Sequence, residues 1–151
     1  ECFDEDGNLK WRETFENLVT DAGKDHALAV ALSGAGQSTS WYVGLVSDNP
    51  SFANGDTMGS HGGWSENTSY SEGSRQGWND GGVSGQSVDN GGSPASFSIN
   101  GSTTIAGAFL VDDNTKGGSA GVLSSKGPCR GGDLIRQNGD TLNVTYTINA
   151  N

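Results

Sequence analysis

Long hydrophobic runs are missing from this sequence, and hydrophobic residues make up only 32% of its 151 residues. No segment approaches the roughly 20 apolar residues that a membrane-spanning helix needs. We therefore expect no membrane partner. The chain begins with Glu1 rather than Met, and we expect further residues upstream of it.

Basic residues are also scarce. Eight Lys and Arg stand against eighteen Asp and Glu, which gives a formal net charge of −10. An acidic field repels phosphate backbones, so we expect no nucleic-acid partner. The same charge favours a soluble, well-dispersed protein.

The cysteines and histidines form no recognisable metal-site or catalytic motif. The two cysteines, Cys2 and Cys129, have no metal-site spacing and allow either one disulfide or two thiols. The two histidines, His26 and His61, lie in no nucleophile motif. We therefore predict a protein that is not an enzyme, with no catalytic residues, no metal and no cofactor.

Glycine, in contrast, is abundant, with 25 residues. Gly, Asn and Asp supply the positive φ angles that tight turns need, so this composition indicates many short strands joined by turns. We count about eight strands, with turn signals at intervals typical of antiparallel folds. The predicted fold is mainly β: a single antiparallel β-sandwich, jelly-roll-like, with an N-terminal hairpin and one short α-helix.

The N-terminal segment predicts a hairpin, because Asp6-Gly7 is a strong two-residue turn signal. We divide the chain into a hairpin or arm at 1–19 and one sandwich domain with a leading helix at 20–151. A calcium loop is the alternative for the acidic start, but its first ligand position would be Cys2, a poor calcium ligand. The hairpin also has a high apolar density for a chain terminus. We therefore predict that it binds a partner through Phe3, Leu9, Trp11 and Phe15.

Later segments carry clear local signals. Thr20 or Asp21 can cap a short helix that ends near Gly34. The apolar run at 41–46 predicts a central strand covered on both faces, the run at 103–111 a second buried strand, and 47–63 a long loop. Near the C-terminus, four alternating apolar residues predict one strand with an inward face: Leu142, Val144, Tyr146 and Ile148.

Three aromatic residues have two interpretations. Trp64, Tyr70 and Trp78 could stack on sugar rings if they are exposed on the sandwich. The other interpretation places them in the core, because a chain poor in Leu and Ile must bury its aromatics. We favour the core.

Several segments together, in one order along nearly the whole chain, resemble a widespread family of small structural proteins of tailed-bacteriophage virions. The segments are NLVTDAG at 17–23, WYVGL at 41–45, GDTMGSHGGWSE at 55–66, YSEGSRQGW at 70–78, IAGAFL at 105–110, KGG at 116–118 and GDTLNVTYT at 139–147.

The resemblance implies a virion component without catalytic residues. Within that class we expect a capsid decoration (cement) protein on the outer surface of the head. Its partners would be the major capsid protein and its own copies, as a homotrimer or homodimer. The alternative is a tail or fibre-associated host-recognition module that binds carbohydrate through Trp64, Tyr70 or Trp78.

Overall fold

A computed structural model describes residues 1–47, 50–129 and 134–150. Positions 48 and 49 of the predicted 47–63 loop therefore lie outside the described residues. The described residues form one helix, α1 Asp21–Leu32, and fourteen short strands. The strands are β1 Cys2–Phe3, β2 Leu9–Trp11, β3 Leu18–Val19, β4 Tyr42–Val46, β5 Glu66–Asn67, β6 Gln76–Gly77, β7 Ser87–Asp89, β8 Ala95–Ser98, β9 Thr103–Ile105, β10 Gly107–Val111, β11 Leu123–Pro128, β12 Leu134–Arg136, β13 Thr141–Val144 and β14 Thr147–Asn149.

The strands pair antiparallel in two large sheets and two small ones. A four-stranded sheet has the order β2-β1-β13-β8, and a six-stranded sheet has the order β3-β11-β10-β4-β5, with β6 also paired to β4. The strand pairs β12-β9 and β14-β7 form the small sheets. The predicted mainly β fold class with one short helix is confirmed and is consistent with a β-sandwich. The jelly-roll topology stays a prediction.

The core lies on both faces of the six-stranded sheet, and β10 shows this most clearly. Ala108 and Leu110 belong to the apolar cluster shared with the four-stranded sheet. Phe109 and Val111 belong to a second cluster on the other face, with residues of the loop that follows β4. Strand β4 is likewise buried from Val43 onward and has neighbours on both sides. The prediction of a central strand with two covered faces is confirmed.

The helix begins and ends where the local signals place it. The Thr20 side chain accepts a hydrogen bond from the Gly23 amide at 3.0 Å, so Thr20 is the N-cap. Gly34 follows the helix with φ +70°, the conformation that glycine adopts at least cost. Gly23 packs directly on the backbone of Ser124 in β11. Within the described ranges, no helix is long and apolar enough to cross a bilayer.

The N-terminal hairpin is present, with β1 paired to β2 and Gly7 at φ +81° in the turn. The Asp4 carboxylate accepts hydrogen bonds from the backbone amides of Asp6 and Asn8, at 3.1 and 2.8 Å. This acidic group therefore closes the turn of a hairpin rather than opening a calcium loop. Cys2 keeps a free thiol and is fully buried in β1.

The first nineteen residues are hydrogen-bonded to the rest of the fold. Strand β1 pairs with β13, and β3 pairs with β11. Trp11 and Phe15 pack against the main apolar cluster. The hairpin is thus covered in part by its own domain.

Two predicted strands are each divided between sheets, which corrects their predicted extent. The run at 103–111 breaks at Ala106, so that β9 pairs with β12 and β10 joins the six-stranded sheet. The C-terminal run breaks after Val144: β13 pairs with β8, and β14 pairs with β7. Leu142 and Tyr146 are buried as expected. Val144 and Ile148 are only half-buried, because the chain changes sheet between them.

Candidate binding groove

A groove of about 960 Å³ separates the segment that follows the hairpin from the C-terminal strands. Its volume is at the upper end of the range for ligand-binding clefts, roughly 300–1,000 Å³. One wall comes from residues 12–19 and the other from the chain between Asn143 and Asn149. The Asn17 side-chain amide donates to the Thr147 carbonyl at 2.9 Å and ties the two walls together. Phe15 and Tyr146 are the aromatic residues of the lining.

Backbone pairing explains why the groove forms here. The Glu1 nitrogen donates to the Asn143 carbonyl, and the Asn143 amide donates to the Glu1 carbonyl, both at 2.9 Å. This exchange holds the start of the chain against β13. Beyond it, residues 12–17 belong to no strand, and the opposite wall leaves its sheet after Val144. The walls therefore separate at the point where the pairing of both strands ends.

A smaller cavity of about 60 Å³ adjoins the groove and shares lining residues with it, among them Phe15 and Asn143. The cavity lies between the two large sheets, since Leu142 and Leu45 both line it. The guanidinium of Arg136 also lines it and lies over the Trp11 ring, 3.7 Å from the ring centroid. A cation at this distance is attracted by the negative face of the indole.

The hairpin also presents an open sheet edge. At the other edge of the four-stranded sheet, the Ser98 carbonyl in β8 accepts from the Ser71 amide at 2.8 Å, and the Ser98 amide donates to the Glu72 carboxylate at 3.0 Å. That edge is therefore covered. Strand β2 pairs with β1 and, within the described part of the chain, with no other strand. Leu9 in β2 is 52% exposed. An open edge with an apolar side chain is a template for strand addition.

The structure separates the four predicted partner-binding residues. Trp11 lines the small cavity, and Phe15 lines both the cavity and the groove. Leu9 lies on the open edge, while Phe3 is half-buried opposite Thr141 and lines neither space. Two of the four predicted residues thus meet at one site, and a third is at the edge strand that leads into it.

Sequence reasoning missed Arg136 and the groove wall at 143–149. Arg136 is preceded by Ile135, which is 71% exposed, and nothing in the local pattern marks the arginine as buried. The alternating apolar residues predict a single regular strand for the C-terminal wall, and a strand that stays in one sheet would leave no groove.

The aromatic residues considered for sugar stacking are mostly in the core. Trp64 is 6% exposed, is stacked on His61 at 4.0 Å and donates from Nε1 to Asp56 at 3.0 Å. Tyr70 is fully buried. Trp78 is half-buried, and its Nε1 donates to the Tyr146 carbonyl. Stacking a sugar on Trp64 or Tyr70 would require them to leave the core, so only Trp78 keeps an accessible edge.

One constellation of catalytic residue types occurs, but in the wrong order for an activated serine. Ser38 Oγ lies 3.4 Å from His26 Nε2 and donates to Asp112 Oδ2 at 2.7 Å. In a catalytic triad the histidine lies between the serine and the carboxylate, so that it can take the serine proton. Here the serine lies between the other two and gives its proton to the acceptor Asp112.

Two buried ion pairs brace the loops of the six-stranded sheet. Arg75, whose side chain is fully buried, donates from Nε and Nη2 to the two carboxylate oxygens of Glu66, at 3.1 and 2.8 Å. It also donates to the carbonyls of Asp113 and Gly118, at 2.8 and 2.7 Å. One arginine therefore fixes β5 to the loop that follows β10.

The second ion pair joins the Lys126 ammonium, in β11, to the Asp56 carboxylate at 2.7 Å. Asp56 lies in the loop that follows β4 and covers the other face of the six-stranded sheet. The Asp56 carboxylate also accepts from the Trp64 ring nitrogen and the Ala53 amide. Burial alone would raise the pKa of Asp56, but these three donors outweigh it and hold the pKa below its usual value of 3.8. Asp56 is therefore ionised under ordinary conditions, as its buried lysine partner requires.

No protein-family model matches the chain, and the curated proteins give no significant match. Within the described ranges, no three His, Cys, Asp or Glu side chains are grouped closely enough to hold a metal ion. The groove, the open edge of β2 and the residues that carry the resemblance are therefore the features that bear on function.

Proposed function

We propose that this chain is a non-enzymatic structural protein of a tailed-bacteriophage particle. Within that class we propose a capsid decoration protein that binds across the seams between major capsid subunits, on the outer surface of the head. The observation that carries the proposal is the open edge of β2, with the exposed Leu9, leading directly into the groove. Such an edge can accept a strand or an arm from a neighbouring subunit.

The physical requirements of a cement protein agree with this structure. A shell under pressure from packaged DNA opens along its repeated seams, so a clamp must be rigid and present at every seam. The buried Arg75–Glu66 and Lys126–Asp56 pairs hold the long loops in place. Repetition across the lattice raises the total binding energy even if each contact is weak. Assembly as a trimer or dimer on a symmetry axis would provide that repetition.

The open edge is tested with Leu9→Lys, measured by co-sedimentation with capsids from which the protein is absent. We expect at least tenfold weaker binding, because the lysine cannot pack at a docked edge. Folding stability should change by less than about 0.5 kcal/mol, since Leu9 is a surface side chain. Leu32→Lys is the matched control, because Leu32 is exposed on α1, away from β2, and it should bind normally. Normal binding by Leu9→Lys would contradict the proposed contact.

A tail or fibre-associated module that recognises carbohydrate is the second candidate, and the half-buried Trp78 is the residue that favours it. Copy number separates the two. A decoration protein is present in hundreds of copies per particle, and a tail component in at most tens. Quantitative mass spectrometry of purified virions, scaled to the major capsid protein, gives that number.

A further inference from the structure

Arg136 has an unusual hydrogen-bonding deficit. It is 1% exposed, and its Nη1 donates to the Ile135 carbonyl at 3.0 Å. Its Nε and Nη2, both buried, have no hydrogen-bond partner among the residues that the structure describes. Burying charged donors without an acceptor costs free energy, because the water they lose is not replaced. Burial also lowers the pKa of Arg136, since desolvation disfavours the charged form.

In Arg75, the corresponding guanidinium nitrogens bind a carboxylate. Its Nε and Nη2 hold the two oxygens of the Glu66 carboxylate at 3.1 and 2.8 Å. These two nitrogens point the same way and form the planar fork that matches a carboxylate. Arg136 is equally buried and presents the same pair of nitrogens without such a group.

Nearby acidic residues have other contacts. Both oxygens of Asp140 accept from the Lys10 ammonium, at 2.9 and 2.8 Å, and one also accepts from the Gln137 amide. Glu13 lines the same cavity, and its negative charge, like that of Asp140, acts to raise the pKa of Arg136 against the effect of burial. Neither residue forms the two-pronged pair with Arg136 that Glu66 forms with Arg75.

The space beside Arg136 fits one carboxylate. The cavity of about 60 Å³ has room for on the order of four water-sized groups. A carboxylate with its attached carbon has that number of heavy atoms. The Trp11 ring fixes the guanidinium from one side, so the fork is held in place before a ligand arrives. Shared lining residues connect the cavity with the much larger groove.

We infer that Arg136 anchors a carboxylate carried by an extended protein segment, which lies in the groove between residues 12–19 and 143–149. The carboxylate is the C-terminus of that segment. Its oxygens accept from Nε and Nη2, and the groove contacts the remaining residues of the segment. Identifying the segment with a capsid subunit rests on the proposed function, whereas the carboxylate site itself does not.

The experiment follows the Nε–Hε resonance of Arg136 by NMR in the whole isolated chain, without capsids. The resonance is assigned by its disappearance in Arg136→Lys. Four probes are compared: chloride, acetate, N-acetyltriglycine with its free carboxylate, and the amide of that peptide. We expect both carboxylates to shift the resonance saturably and the amide to leave it unchanged. The peptide acid should bind at least tenfold more tightly than acetate, because only the peptide reaches the groove.

Two variants serve as controls for charge. Arg136→Lys keeps the positive charge but loses the fork, and titration of its groove amides should show at least tenfold weaker peptide binding. Lys24→Gln, at an exposed helix position, removes one positive charge elsewhere and should bind as the wild type does. If Arg136→Lys fails to fold, the wild-type comparison of acid, amide and chloride decides the question.

Three outcomes overturn the inference. Equal shifts from the amide or from chloride would show that no carboxylate is recognised. Equal affinities for acetate and the peptide acid would show that the groove contributes nothing. Normal peptide binding by Arg136→Lys would show that the fork is not the anchor. A chain that binds the peptide but is missing from the capsid would refute only the proposed function. A chain that is present on the capsid but does not bind the peptide would refute only the role of Arg136 as the anchor.

Discussion

Arg75→Met is the substitution with the largest expected effect on folding. Methionine replaces the apolar stem of arginine with an unbranched one but lacks the guanidinium, so every donor is removed. Glu66, which is nearly buried, would keep only its bond from the Gly117 amide at 3.0 Å. The carbonyls of Asp113 and Gly118 would each lose a donor. Breaking a buried pair by removing one partner costs about 3–5 kcal/mol, because a charge is left without compensation.

Urea denaturation followed by tryptophan fluorescence measures this loss. With a slope of about 2 kcal/mol per molar urea, a loss of about 4 kcal/mol lowers the midpoint by about 2 M. The double variant Arg75→Met with Glu66→Leu removes the stranded charge and should recover part of the loss. Lys24→Met is the matched control: its partner Asp21 is 3.6 Å away and both are exposed, so it should change stability by less than about 0.5 kcal/mol.

A stability of Arg75→Met within about 1 kcal/mol of the wild type, well below the expected cost of a broken buried pair, would contradict this prediction. So would a double variant that is no more stable than the single one. Either result would mean that the Glu66 charge is not isolated by the fold. In that case the loops would not be braced as the distances indicate.

Two further predictions concern the six-stranded sheet. Gly44→Ala places a Cβ 2.2 Å from the Phe109 ring and should lower the free energy of unfolding by about 1–3 kcal/mol through overpacking. Gly36→Ala, with open space around it, is the control and should lower it by less than about 0.5 kcal/mol. Equal urea midpoints for the two variants would be inconsistent with this packing. Because the pKa of Asp56 is lower in the folded protein than in the unfolded chain, its ionised form stabilises the fold. This stability is fully present above pH 3.8 and is lost as the pH falls through the pKa of the folded state. Asp56→Asn should therefore be less stable than wild type at pH 6, with a gap that narrows at acid pH; a gap that stays constant would rule out this linkage.

Local signals in the sequence predict the fold where one or two residues decide it. Thr20 caps the helix, Gly34 ends it and Gly7 turns the hairpin, because each acts through its own backbone or side chain. The breaks at Ala106 and after Val144 were not predictable in this way. They arise because neighbouring residues pair with strands of different sheets, and that pairing depends on contacts distant in sequence.

The candidate site was predictable only on its apolar side. Trp11 and Phe15 stand out as large residues close to a terminus, and both line the cavity. Arg136 does not stand out, because arginine is normally a surface residue and only the assembled sheets bury it. For the same reason the complete burial of the Lys126 and Arg75 side chains was not predictable from local sequence.

If the chain is a decoration protein of a tailed phage, electron cryo-microscopy of intact virions of that phage will show where it binds. We expect density for this chain on the outer surface of the head, in hundreds of copies placed over the seams of the major capsid protein. The edge of β2 and the adjoining groove should face a capsid subunit. Density confined to the tail, or a head surface that lacks the chain, would contradict the account.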